Sequence, residues 1–268
     1  MDVIVTGGSS GIGLATALEY AKRGNDVAII ARGKDKLVAA IEQMKAVSPR
    51  EDAKFAYATA DLSNEEECIA AFNQIFEAGF VPYLLINCAG IVVPGRFIEL
   101  TSEEFARNVN LDLFGTVHAC RCCISRMIEQ GKGHIVNTSS VAGYMGVYGY
   151  SGYSSAKFGV LGFSEVLRFE MKPHNIKVSV VCPPDTDTPG LAYERKVRPI
   201  ETDVVAGTLK AAEPEAIAKA IVKGAEKGKY RIIPGFTSKF YRFLKENFTS
   251  LYFAIVDSDI KKAQKLKK

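Results

Sequence analysis

The chain has 268 residues, is 47% hydrophobic and carries a formal charge of +4, which suits a single α/β unit with an ordinary core. The charge is uneven: residues 239–268 hold eight Lys/Arg against three Asp/Glu, net +5, so the near-neutral body argues against nucleic-acid binding. Six cysteines, three of them crowded at Cys120, Cys122 and Cys123, suit free thiols in a reducing compartment rather than a disulfide scaffold or a metal module.

In chain order, short β-branched runs alternate with segments of helical period. Asp2-Val-Ile-Val-Thr opens the first strand, Val3–Thr6, at once, so no signal peptide is expected and the location is read as cytoplasmic. That strand runs into Thr6-Gly7-Gly8-Ser9-Ser10-Gly11-Ile12-Gly13 and a helix, Ile12–Arg23. Glycines at 7, 11 and 13 let a backbone turn tightly against a pyrophosphate, which Ser9, Ser10 and Ile12 would also border at the helix N-terminus. Strand two, Asp26–Ala31, ends without the acid that would accept from an adenosine ribose. Arg32 stands next to it, suited to a 2′-phosphate, so NADP(H) is expected over NAD.

A helix at Asp35–Val47 and strand Lys54–Ala58 lead to Asp61-Leu62, placed to meet an adenine amine. Helix Asn64–Ala78 and strand Tyr83–Asn87 follow, then the turn Asn87-Cys88-Ala89-Gly90, which brings backbone close to a cofactor. A long helix is predicted over Ser102–Gln130, then strand Gly133–Ser139, helix Ser151–Lys172, strand Lys177–Cys182, helix Pro214–Lys227 and strand Tyr230–Pro234. Seven such strands joined by crossover helices predict one doubly wound, parallel, Rossmann-type sheet. Two uncharged runs, Ala78–Gly95 and Gly133–Ala156, are broken by Gly, Pro or polar residues and read as strand plus turn, not membrane helices.

Tyr153 and Lys157, four apart, share a helix face. A neighbouring ammonium favours a phenolate, so the pair predicts a tyrosine of lowered pKa that passes protons to or from an alcohol oxygen. No metal ligand set is expected.

These motifs together resemble the short-chain dehydrogenase/reductase family over residues 2–235. Thr6–Gly13 and Asn87–Gly90 are similar to its two glycine-bearing cofactor motifs, and Pro183, Pro184 and Thr188 to the segment that covers the nicotinamide. The resemblance implies that Ser140 hydrogen-bonds a carbonyl oxygen and Tyr153 protonates it. Lys157 would hold the nicotinamide ribose, so Tyr153 and Lys157 also border the cofactor. The family's fourth catalytic residue is an asparagine. Here its position holds Asp112, with Asn110 two residues earlier, and either would complete the proton relay. Family members often pair through the helices predicted at 102–130 and 151–172, implying a homodimer or homotetramer.

Cys182–Gly190 and Glu170–Asn175 resemble the branch of the family that uses NADPH to reduce the 3-keto group of long-chain sphingoid bases. A steroid, retinoid or 3-oxoacyl thioester is the alternative ketone. A non-catalytic dinucleotide sensor fits less well, since it needs only the glycine end. Tyr144, Met145, Tyr148 and Leu191 are the expected wall for an apolar substrate, and Asp185 or Asp187 either meets its amine or caps a lid helix. Residues 1–235 form the domain and 236–268 an amphipathic extension, whose aromatic and basic residues suit either a membrane interface or packing on protein.

Overall fold

The computed structural model describes residues 1–206 and 211–266. Its strands are β1 (Asp2–Thr6), β2 (Asp26–Ala31), β3 (Phe55–Thr59), β4 (Leu84–Asn87), β5 (Gly133–Thr138), β6 (Ile176–Val181) and β7 (Arg231–Ile232). They form a seven-stranded sheet in the order β3-β2-β1-β4-β5-β6-β7, with every pairing parallel. The chain is therefore one α/β unit of the doubly wound type. The strand order reverses between β1 and β4, and a ligand crevice is expected at the carboxyl ends there.

Alternate strand residues serve the two faces. Ile4, Ile30, Leu85 and Ile135 face α3 (Glu65–Glu77), α5 (Gly115–Glu129) and α6 (Ser151–Met171), meeting Phe72, Ile75, Met127 and Leu167. Val3, Val5, Ile29 and Ile86 face α1 (Gly11–Ala21), α2 (Lys34–Val47) and α9 (Pro214–Glu226), meeting Tyr20, Leu37, Met44 and Ile221. Strands buried on both faces explain why the sequence shows continuous apolar runs rather than alternation.

Every expected strand is present, with ends shifted by a residue or two. β7 stops early because Pro234 has no N–H to donate and Gly235 turns the chain at φ +81°.

Two differences bear on function. The single helix expected at 102–130 is instead α4 (Ser102–Asn108), a π-helical turn (Val109–Phe114) and then α5. The wide turn lets buried Asn108 and Asp112 both reach inward: Asn108 Oδ1 accepts from Val93 N at 3.0 Å, and Asp112 Oδ1 from Ile91 N at 2.8 Å. The stretch Asp185–Gly207, which fell outside the strand–helix alternation, forms two short helices up to residue 206; Gly207 lies outside the described residues. These are α7 (Pro189–Val197) and α8 (Ile200–Ala206). Thr188, not Asp185 or Asp187, caps α7, accepting from Leu191 N at 3.2 Å.

Residues from 236 form α10 (Phe236–Asn247) and α11 (Thr249–Lys265), which fold back onto the body. The Tyr144 hydroxyl donates to Ser238 O at 3.0 Å, the Tyr252 hydroxyl to Gly146 O at 3.4 Å, and Lys245 Nζ to Tyr144 O. No helix among the described residues is long and apolar enough to cross a membrane.

Candidate active site

A cleft of about 1430 Å³ opens at the carboxyl ends of the strands. That exceeds the roughly 300–1,000 Å³ of an ordinary small-molecule site, and so has room for a cofactor and a substrate together.

The turn between β1 and α1 lines one end. Gly7 has φ +67°, and a Cβ there would stand 2.7 Å from Ala89 N; a Cβ on Gly13 would stand 2.2 Å from Gly7 O. Only a chain lacking both β-carbons can close this turn. Ser10 caps α1 without a side-chain bond, so the first-turn N–H groups beside Gly11, Ile12 and Gly13 remain directed at the cleft. That cradle fits a pyrophosphate. Ser9, Arg32, Leu62, Ala89, Gly90, Pro183 and Thr188 line the same cleft, as expected of cofactor contacts. Lys34 and Lys36 join Arg32 at this rim. The sequence reading missed them, although they follow Arg32 within one turn.

Two residues assigned to the cofactor lie elsewhere. Asn87 is buried within the sheet: its Nδ2 donates to Asn137 Oδ1 at 2.9 Å and its Oδ1 accepts from Thr6 Oγ1 at 3.3 Å. It stitches β1, β4 and β5 together rather than lining the cleft. Asp61 folds its carboxylate onto Ser63, accepting from N at 3.0 Å and Oγ at 2.7 Å. Only its neighbours Ala60 and Leu62 reach the cavity wall.

Ser140, Tyr153 and Lys157 converge in the middle of the cleft. Ser140 follows β5 and accepts from Ala142 N at 3.1 Å, fixing a short 3-10 turn over Val141–Gly143. Its hydroxyl is the hydrogen-bonding neighbour of the Tyr153 phenol. Lys157 is buried, and its Nζ donates to Thr138 O at 3.1 Å and stands 3.8 Å from Asp112 Oδ1. The register of the π turn puts Asp112 behind Lys157 and leaves Asn110 exposed, so Asn110 is not part of this cluster. Gly90 makes room: a Cβ there would stand 2.7 Å from Asp112 Oδ1 and 3.3 Å from Lys157 Nζ.

Burial, only partly offset by the Lys157 ammonium and the Ile91 N–H, pushes the Asp112 carboxyl up to about 6. Its Oδ2 has no hydrogen-bond partner among the described residues. The Tyr153 phenol is not lowered as the Tyr-Lys spacing predicted. Burial pushes it well above its usual value, the Asp112 charge adds to the rise, and the Ser140 hydroxyl opposes it. Lys157 Nζ lies 5.6 Å from the centre of the Tyr153 ring, its ammonium committed to Thr138 O and facing Asp112.

The far end of the cleft is apolar. Met145 and Leu191 line it as expected, with Val204 and Val205 of α8 and Tyr241, Tyr252, Ile255 and Val256 of the terminal helices. Tyr144 and Tyr148 do not. Tyr144 is buried against Ser238, and Tyr148 accepts through its carbonyl from Thr202 Oγ1 at 2.8 Å while its side chain pairs with Arg96. Asp185 lines the cleft and Asp187 is exposed. Asn108 was not foreseen as a support for the loop after β4. Its spacing of four from Asp112 places both on one inward face, a signal present in the sequence.

The sequence pattern of the short chain dehydrogenase family matches residues 2–198. A 3-ketodihydrosphingosine reductase of Bos taurus is 38% identical over 229 residues, covering 85% of this chain and 69% of that protein. One of Dictyostelium discoideum is 37% identical over 270 residues, covering 95% and 80%. Among solved structures, a short-chain dehydrogenase of Sphingobium yanoikuyae in complex with NADPH superposes with a TM-score of 0.78 at 28% identity, covering 93% and 94% of the two chains. Levodione reductase gives 0.79 at 26%, covering 89% and 97%.

The raised Asp112 carboxyl gives a signed pH test. Between its ordinary value of 3.8 and about 6 the folded chain holds a proton that the unfolded chain releases. Stability from this group therefore grows as pH falls from 7 toward 4. His134, lowered by burial to about 4, runs the other way, so the useful quantity is a difference between proteins. Wild type is expected to gain on Asp112→Asn by a few degrees of melting temperature as pH is lowered from 7 to 5. A difference that stays flat across that range contradicts the assignment.

Proposed function

Because the chain is an oxidoreductase that belongs to the short chain dehydrogenase family, we propose that it reduces the 3-keto group of a long-chain sphingoid base, 3-ketosphinganine to sphinganine, with NADPH. The observation that carries this reading is the apolar arm of the cleft. It is formed by apolar side chains of α7, α8, α10 and α11 that line the same cleft as Ser140 and Tyr153, and suits a ketone with an alkyl chain. The curated relatives named above as 3-ketodihydrosphingosine reductases support the choice of ketone.

In this mechanism the residues from Gly7 to Gly13 would hold the pyrophosphate and Arg32 would meet the 2′-phosphate of NADPH, which would supply the hydride when bound. Ser140 donates a hydrogen bond to the ketone oxygen, and Tyr153 gives that oxygen its proton. Burial holds the Tyr153 phenol protonated, the form in which it can donate. Lys157 and Asp112 stand behind Tyr153 as the polar route by which its proton is replaced. Asn110, exposed, takes no part.

The terminal helices add a second surface. Phe236, Phe240 and Phe243 recur at helical spacing on α10 and are exposed, and Phe248, Leu251 and Phe253 continue the apolar surface into α11. Lys239 and Arg242 lie among them. Aromatic rings beside cations suit the interface of an anionic bilayer, where a lipid ketone resides.

Three outcomes are expected. Tyr153→Phe retains NADPH binding by fluorescence titration and loses at least about 10³-fold in kcat on 3-ketosphinganine. Wild type reducing a steroid ketone or an acetoacetyl thioester faster than 3-ketosphinganine would point to the alternative ketones. Arg32→Ala raises KM for NADPH by about ten-fold while leaving KM for NADH nearly unchanged. Because α10 and α11 also wall the cleft, attachment is better tested by substitution than by deletion. Wild type is expected to float with anionic liposomes, and the triple variant Phe236→Ser, Phe240→Ser, Phe243→Ser to remain below; equal flotation removes the membrane reading.

A further inference from the structure

The lid helix α7 reaches the reaction centre through a single buried carboxylate. Glu194 is 5% exposed and lines a cavity wall that is otherwise largely apolar, beside Leu191, Val204 and Val205. Its Oε1 accepts from the Tyr150 hydroxyl, and from Arg198 Nη1 at 2.8 Å. Arg198, with its side chain equally buried, donates from Nη1 to the Tyr150 oxygen at 3.3 Å and from Nε to Asp203 Oδ1 on α8 at 2.7 Å. The same Nη1 stands 3.5 Å from Asp185 in the loop after β6. Charges so far from water are costly to place and more costly to leave unpaired. Here the pair ties α7, α8 and the loop after β6 to one hydroxyl.

That hydroxyl belongs to the residue immediately before the catalytic helix. The Tyr150 carbonyl accepts from Ser154 N at 2.7 Å, while its ring meets the Tyr153 ring edge to face, with centroids 5.7 Å and planes 82° apart. Such pairs have a preferred geometry, so the orientation of one ring constrains the other. On the far side of Tyr153 stand Ser140 and Lys157, with Asp112 behind them.

We propose that Glu194 is a positioning residue for Tyr153 and acts through Tyr150. By anchoring the Tyr150 hydroxyl it fixes the ring against which Tyr153 rests, so the phenol is aimed at Ser140 only while α7 is seated. The inference rests on the reading of Tyr153 as proton donor. It gives the lid a direct part in assembling the proton-delivery site.

The test uses the full chain with NADPH and 3-ketosphinganine, or whichever ketone the wild type reduces fastest. Tyr150→Phe keeps the ring and removes its anchor, Glu194→Ala removes the anchor from the other side, and Glu194→Gln keeps an oxygen for Tyr150 and Arg198. The first two are expected to lower kcat about 10- to 100-fold, since small misplacements of a reacting group cost that much. KM for NADPH and for the ketone should stay within about two-fold of wild type, and Glu194→Gln should recover most of kcat. Wild-type kcat in Tyr150→Phe overturns the proposal, even where Glu194→Ala fails to fold. So does a fall in kcat matched by a rise in both KM values and not rescued by glutamine, the mark of a packing role. Tyr153→Phe is measured alongside: full activity there overturns the catalytic reading and this inference with it, whereas loss there with an unimpaired Tyr150→Phe overturns the positioning role alone.

Discussion

A buried ammonium has to be met by oxygen, and Lys157 imposes that demand on three elements at once. The end of β5 answers with the Thr138 carbonyl, and the π turn answers with Asp112. The loop after β4 answers by giving way at Gly90, where any β-carbon would press on both charged groups. Each concession is local and unfavourable alone: a wide helical turn, a carboxylate oxygen with no partner among the described residues, a glycine in a loop. Together they satisfy one charge that burial would otherwise make very expensive. The same cluster fixes the loop after β4 through the Ile91 N–H, so that loop and α6 share a single support.

The seven strands and their parallel, doubly wound arrangement were legible because burial on both faces writes itself into the sequence as uninterrupted apolar runs. The glycine turn was legible because few residues can replace Gly7 and Gly13 where they stand. Ser140, Tyr153 and Lys157 were found by spacing, and the structure brings all three into one cleft. The π turn was not legible, since one extra residue barely disturbs a helical period while it decides which of Asn110 and Asp112 points inward. Nor was the direction of the Tyr153 shift. Spacing says that an ammonium is near a phenol, but not that the ammonium is already committed to a carbonyl and a carboxylate.

Side-chain destinations near the site show the same limit. Asn87 and Asp61 have the right chemistry and the right strand ends, yet both turn to partners in the protein rather than to the cleft. Tyr144 and Tyr148 sit between Ser140 and Tyr153 in sequence, yet are drawn off by Ser238 and Arg96. Conversely, the terminal helices looked like an appendage by composition. Their inner face supplies Tyr241, Tyr252 and Ile255 to the apolar arm, and only the outer face carries the exposed phenylalanines.

The docking of Tyr144 and Gly146 onto α10 and α11 also sets an order of assembly. Domains grow from the N-terminal side during synthesis. The glycine cradle and the strands around it therefore leave the ribosome well before the helices that wall the apolar arm. For that interval the loop between Ser140 and Tyr153 lacks its contacts to Ser238, Lys245 and Tyr252. A nascent chain that already carries the glycine cradle still lacks this wall, so the apolar part of the cleft is completed after the part that holds the cradle.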